Sequence, residues 1–178
     1  MRRRQKTEVR SKNMRNYLYV FLISMVPLIE LRGAIPVAYG IKAALDNPAE
    51  FNLFWAYVVI AVGNMLPVPF IFFFARRVLE WGKDKKVVGR FFTWCLEKGH
   101  KGGEKLQAKA GRGLYIALLL FVGIPLPGTG AWTGTLAASF LDMDFKKSML
   151  SVIGGVALAG IIVGVLCTLG FGAIFGIN

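Results

Sequence analysis

Two of the four long apolar stretches in this chain are broken in the middle, and the breaks limit what it can fold into. The stretches run over about 17–45, 51–75, 114–141 and 148–175 of 178 residues. Stretches 51–75 and 148–175 exceed the roughly 20 residues a helix needs to cross about 30 Å of hydrocarbon. The first contains Gly63, Asn64, Pro67 and Pro69. Its prolines predict a kink, because each removes an amide donor and crowds the preceding turn. The second spaces Gly160/Gly164 and Gly172/Gly176 as GxxxG, which favours close helix packing without naming a partner. The other two stretches divide into apolar halves of about a dozen residues, on either side of 30–36 (ELRGAIP) and 123–130 (GIPLPGTG). Halves that short suggest re-entrant or interfacial segments. Irregular backbone at membrane depth survives only where protein buries it or it lines a wet cavity, so the breaks are where a site is expected.

The composition makes sense only if charge is kept out of the bilayer. Hydrophobic residues make up 55%, charged residues only 18%, and mean hydropathy is +0.54, yet the formal charge is +12. That much apolar surface excludes disorder. With only two cysteines, Cys95 and Cys167, a disulfide-stapled secreted domain is excluded as well. The charge is segregated: residues 1–16 carry a net +6, residues 76–113 a net +7, and everything else −1. Polybasic blocks can bind nucleic acid, but membrane-length spacers point to the positive-inside rule, and no nucleic-acid partner is expected. Basic residues ahead of Tyr17 also fit the start of a signal peptide. No small-residue cleavage site follows, because the run meets Pro27, Glu30 and Arg32, so the segment reads as retained. Four parts result: a basic cytoplasmic segment 1–16, a membrane repeat 17–75, a basic amphipathic connection 76–113 and a second membrane repeat 114–178.

The repeat is read from element order more than identity. A shift of 91 residues places Pro36 on Pro127 and Gly63 on Gly154, and a small register change pairs Leu45-Asp46 with Leu141-Asp142. Each half reads as broken segment, short acidic turn, long helix. Two such halves would bring both breaks near the midplane, as in transporters built from internal repeats.

The breaks also suggest chemistry. Half-helices are expected to begin near 34–36 and near 129–132, each aiming unpaired amides and about half a positive charge into the site. Thr129 or Thr133 could cap the second, and Gly128 and Gly130 leave amides open to a ligand, a concavity that suits an anion. Arg32 adds a fork of donors matched to phosphate or carboxylate. Glu30, a carboxylate at membrane depth, is costly unless functional or paired. It reads as a proton-coupling group, or more plainly as one half of an ion pair with Arg32 that holds the break. Gly33, Pro36, Pro125 and Pro127 would shape the cavity. Asn64 could reach the site, though an intramembrane Asn more often bonds a neighbouring helix. Trp132 could line the cavity or simply pack at an interface. Lys42 should snorkel towards headgroups, and His100 should be solvated. Residues 87–98 read as a short amphipathic helix on an anionic membrane surface. No hydrolase, Walker or zinc-protease signature occurs, so neither enzyme activity, a cofactor nor a metal is expected.

With ELRGAIPVAYG at 30–40 and GIPLPGTGAWTG at 123–134, the chain resembles the prokaryotic small multidrug export protein family from about Tyr17 onwards. Through that family it is distantly similar to the DedA membrane proteins. That resemblance implies a fold in which each re-entrant hairpin is paired with a transmembrane helix, and some DedA relatives are implicated in moving undecaprenyl phosphate or other lipids. Pro127-Gly128 looks like the corresponding DedA hairpin turn. The arginine that follows that turn in DedA proteins is missing here, where Thr129, Gly130 and Ala131 stand, so Arg32 would have to take its place.

Re-entrant hairpins put the two basic blocks on opposite sides of the membrane, against the positive-inside rule. Fully crossing segments would keep both inside and leave the turns at 46–50 and 142–147 outside. A dual-topology dimer is a third arrangement. We adopt the hairpin architecture: an all-α integral membrane protein of two pseudo-symmetric repeats, each a broken or re-entrant helical hairpin followed by a transmembrane helix. The expected function is a multipass, proton-coupled carrier in the cell membrane for an anionic substrate such as a polyprenyl phosphate. Membrane lipids, protons and a second copy of the chain are its expected partners. A small multidrug exporter and a non-transporting scaffold are the alternatives.

Overall fold

A computed structural model of the chain describes residues 2–83, 93 and 112–175. Apart from one 3-10 turn, every regular element among them is an α-helix: α1 (Arg2–Met25), α2 (Glu30–Ala43), α3 (Leu53–Met65), α4 (Pro67–Lys83), α5 (Arg112–Gly123), α6 (Ala131–Phe140) and α7 (Phe145–Phe175). Apart from residue 93, which is helical, the amphipathic helix expected over 87–98, with Cys95, and His100 beyond it lie outside the described residues.

Two spans are long and apolar enough to cross a membrane, Leu53–Ala75 and Phe145–Gly170, with mean hydropathies of 2.2 and 2.5. Only 22% and 44% of their most apolar windows are buried, whereas the core helix of a soluble protein would be mostly covered. Phe54, Trp55, Phe70, Phe74, Ile161 and Leu169 all stand exposed along them. Apolar surface on that scale marks a contact with lipid or with another protein. The expected kink in the first span is a single non-helical residue, Leu66, between α3 and α4. Pro67 follows at the first position of α4, where its missing amide costs nothing.

The chain forms two compact units. The first comprises Met1–Asn64 together with Ala159–Asn178. In it α1 and α2 make an antiparallel hairpin, joined by residues 26–29. The hairpin returns to the end from which it started: Asn13 Nδ2 donates to Glu50 O at 2.9 Å, and Tyr17 Oη donates to Asn52 O at 3.2 Å. Tyr17 also stacks on Phe51 at 4.8 Å. The turn at 46–50 therefore shares an end with the basic segment, and the fully crossing alternative, which needs them at opposite ends, does not hold for this unit. At 1.5 Å per residue, the 14 residues of α2 reach only about 21 Å. On α3, Gly63 lets α1 come close, since a Cβ there would lie 2.8 Å from Phe21 O and would also meet Ser24 Oγ.

The second unit comprises Met65–Leu158. Here α5 and α6 form the corresponding hairpin, and α4 packs on α6. Ser139 Oγ donates to Phe72 O at 2.7 Å, and Phe145 meets the rings of Phe72 and Phe73 at 5.2 and 4.7 Å. On α7, Gly155 plays the part Gly63 plays on α3: a Cβ would lie 2.7 Å from Leu119 O.

The first break differs from its expected position. Residues 30–36 belong to the first two turns of α2, and the chain reverses at 26–29 instead. The helix starts at Glu30, well before the expected 34–36. Pro36 sits inside it, where it takes away the helical donor for the Arg32 carbonyl without ending the helix. The second half-helix begins at Ala131 as expected. Gly130 is the N-cap with no side-chain bond. Thr129 Oγ1 donates backwards to Ile124 O and Leu126 O, and Thr133 Oγ1 donates to Gly130 O.

Positive φ occurs at residues 28 and 30 of the first turn (71° and 50°) and at 128 and 130 of the second (80° and 138°). In the second turn both positions are glycine, for which these conformations cost little; in the first they are Leu28 and Glu30, which pay about 1–2 kcal/mol each. Gly130→Ala should accordingly lower stability by about 1–2 kcal/mol, because its φ of 138° lies in a region that only glycine occupies comfortably. The drop should be visible as a lower thermal midpoint of the detergent-solubilised protein.

Candidate functional site

The sequence-derived site residues divide between the two units. Glu30, Arg32, Gly33, Pro36 and Asn64 belong to the first. Pro125, Pro127, Gly128, Thr129, Gly130 and Trp132 belong to the second. Each group is described within its own unit.

In the first unit, the turn at 26–29 projects Leu28 outward, 82% exposed, and turns the next residues back into α2. Residues 30, 31, 34, 35, 38 and 39 of α2 are buried, a helical stripe that carries Glu30 inward with the apolar residues. Glu30 is only 4% exposed. Its carboxylate acts coulombically on Arg32, which is half-buried two residues on. A carboxylate in the first turn also answers the positive end of its own helix. The first break therefore holds a matched pair of charges, and its helix terminus is already partly neutralised by Glu30. Gly33 is half-buried, and its amide donates to Ile29 O at 2.9 Å.

Asn64 is 1% exposed, and its Oδ1 accepts no hydrogen bond among the described residues. No donor on a neighbouring helix reaches that oxygen among the described residues. A buried amide oxygen without a donor costs about 1–3 kcal/mol. Its chain neighbour Gly63 lies against Ser24, itself fully buried with its hydroxyl bonded to Phe21 O at 2.6 Å.

The same unit holds a polar cluster the sequence reading did not anticipate. Thr168 Oγ1 donates to Gly164 O at 2.9 Å. Its proton is thereby used, so Tyr39 Oη is the donor in the 2.8 Å contact between the two hydroxyls. Tyr57 is hydrogen-bonded to Tyr39, and buried Cys167 lies next to Thr168 in sequence. Tyr39 shares the buried stripe of α2 with Glu30. Glu30 and Tyr39 are two and a half helical turns apart, at opposite edges of that wide stripe, so no spacing in the sequence signalled the cluster. Gly164 leaves the room that Tyr57 occupies, and Gly160 lies near Leu31, so this GxxxG pair is used inside the chain.

In the second unit, Pro125 and Thr129 are half-buried, Pro127 and Gly128 exposed, and Gly130 buried. Trp132 is half-buried on the first turn of α6. No acidic residue stands in that turn. The positive end of α6 thus has no carboxylate of its own helix beside it, in contrast to α2.

Two apolar spans long enough to cross a membrane, together with a short helix that starts on a buried carboxylate beside an arginine, define a helical membrane protein. Residues 30–162 match the family model described as "Putative small multi-drug export protein". The match covers well over half of the chain, the segments 30–40 and 123–134 included, and the chain belongs to that family. No curated protein and no solved structure matches it.

Proposed function

We propose that the protein is a multipass carrier of the cell membrane, moving an anionic substrate with protons. Glu30 takes up the proton, and the Arg32 guanidinium of the same unit favours the anion. The observation that carries this reading is Glu30: a carboxylate 4% exposed, beside Arg32, at the start of a helix too short to cross. Groups of that kind at membrane depth are usually functional. The two hairpins are read as re-entrant repeats. Positive φ recurs at the same two turn positions, and a glycine of the following long helix, Gly63 or Gly155, receives the first helix of each hairpin. A lipid phosphate is the preferred substrate class, in keeping with the DedA likeness of the turn at Pro127-Gly128. A second copy of the chain belongs to the same proposal, since opposite placement of two similar basic blocks suits a dual-topology pair. The family description favours a second reading, export of small hydrophobic cations, with Glu30 as the binding charge.

Proteoliposomes with an imposed pH gradient separate the two. Glu30→Gln should cut gradient-driven uptake of a polyprenyl phosphate at least tenfold while the protein stays monodisperse. If the wild type moves a cationic dye and no lipid phosphate, and Glu30→Gln stops dye movement, the exporter reading replaces the carrier of anions. Wild-type-like transport by Glu30→Gln would defeat both.

A further inference from the structure

The outward face of α1 carries a feature separate from the hairpin turn. Among the described residues, a groove of about 420 Å³ is lined by Arg10, Ser11, Met14, Arg15 and Leu18. Their spacing of i, i+1, i+4, i+5 and i+8 marks one helix face. The opposite face turns inward: Asn13 and Tyr17 hold residues 50–52, and Val20 and Ser24 are fully buried. The groove's described lining thus contains two arginines and no acid. Below them the same face continues as Met14, Leu18 and Leu22, which are 64%, 55% and 52% exposed. A basic end therefore leads directly into an apolar stripe, and Arg15 stands two residues ahead of Tyr17, where the apolar stretch begins.

We infer that this groove seats one anionic phospholipid of the adjoining leaflet. The phosphate lies between the Arg10 and Arg15 guanidiniums with the Ser11 hydroxyl as a further donor, and an acyl chain follows Met14, Leu18 and Leu22. Guanidinium forks suit phosphate oxygens, and basic side chains just outside an apolar helix sit at headgroup depth. A free phosphate would engage the arginines but leave the apolar stripe without a role. The inference concerns binding alone and does not depend on the carrier reading.

The test uses the full chain reconstituted in phosphatidylcholine vesicles with trace spin-labelled phosphatidylglycerol, its association read against spin-labelled phosphatidylcholine. The wild type should prefer the anionic lipid. Arg10→Gln/Arg15→Gln should lower that preference at least about fivefold, given the attraction expected per basic residue near the surface. Met14→Ser/Leu18→Ser should also lower it. Arg3→Gln/Arg4→Gln removes the same charge from α1 without touching the groove's described lining and should change it less than twofold. Equal losses from the two arginine pairs would mean diffuse attraction and would overturn the assignment. Displacement by millimolar inorganic phosphate, with no effect of the Met14/Leu18 pair, would make this a free-anion site and overturn it equally. Arg10, Met14, Arg15 and Leu18 are exposed, and unchanged helical circular dichroism shows that each variant has folded.

Discussion

Arg32→Ala should destabilise the protein by about 3 kcal/mol, and adding Glu30→Gln should recover most of that loss. Glu30 is buried and Arg32 is the positive charge that acts on it. Removing one member of a buried pair strands the other, at a cost of about 3–5 kcal/mol, whereas neutralising both leaves nothing to strand. Half-burial of Arg32 puts the expectation at the low end of that range. Glu30→Gln alone should cost less than Arg32→Ala, because a half-buried arginine can still turn towards water or headgroups. Thermal unfolding of the detergent-solubilised variants, run as a double-mutant cycle, gives the coupling directly. Independent, additive losses would show that the two residues act separately and would remove the pair from the proposed mechanism. Strong coupling with transport lost only in the variants lacking Glu30 would assign the pairing to stability and the proton to Glu30.

The membrane character and the spans were legible from sequence because apolar length and charge segregation are summed properties, insensitive to small errors of register. The second turn was legible as well, since Gly128 and Gly130 announce positive φ. The first turn was not. Its positive-φ residues are Leu28 and Glu30, which carry no turn signal, while the polar residues at 30–36 looked like the interruption. Those residues are tolerated in α2 because one buried stripe accepts Glu30 together with Leu31, Ala34 and Ile35. The expected pairing of Pro36 with Pro127 failed for the same reason: one proline is inside a helix and the other is in a loop. Positive φ instead recurs at a spacing of 100 residues, at 28 and 30 and again at 128 and 130. The Tyr39–Thr168 bond joins residues 129 apart in the chain, a distance over which no pattern in a single sequence can pair them.

Gly63→Val and Gly155→Val should each cost about 3 kcal/mol, the upper end of ordinary overpacking, while alanine at Gly40 or Gly170 should gain up to about 1 kcal/mol. The four glycines are all helical, so helix propensity alone favours replacing every one of them. Available room decides the sign. A Cβ at Gly63 would lie 2.8 Å from Phe21 O, and one at Gly155 would lie 2.7 Å from Leu119 O, whereas Gly40 and Gly170 have nothing within 4 Å. A backbone oxygen cannot rotate aside, so α1 must move off α3, or α5 off α7. In lipid that separation is expensive, because helix association there depends on close packing and gains little from hydrophobic burial. Thermal midpoints of the four single variants in one detergent are the measurement. Losses at Gly63 and Gly155 with gains at Gly40 and Gly170 would establish that each hairpin is held by a glycine contact to the long helix after it. A gain at either Gly63 or Gly155 would mean that this contact is absent in the membrane, and with it the strongest physical argument for reading the hairpins as repeats.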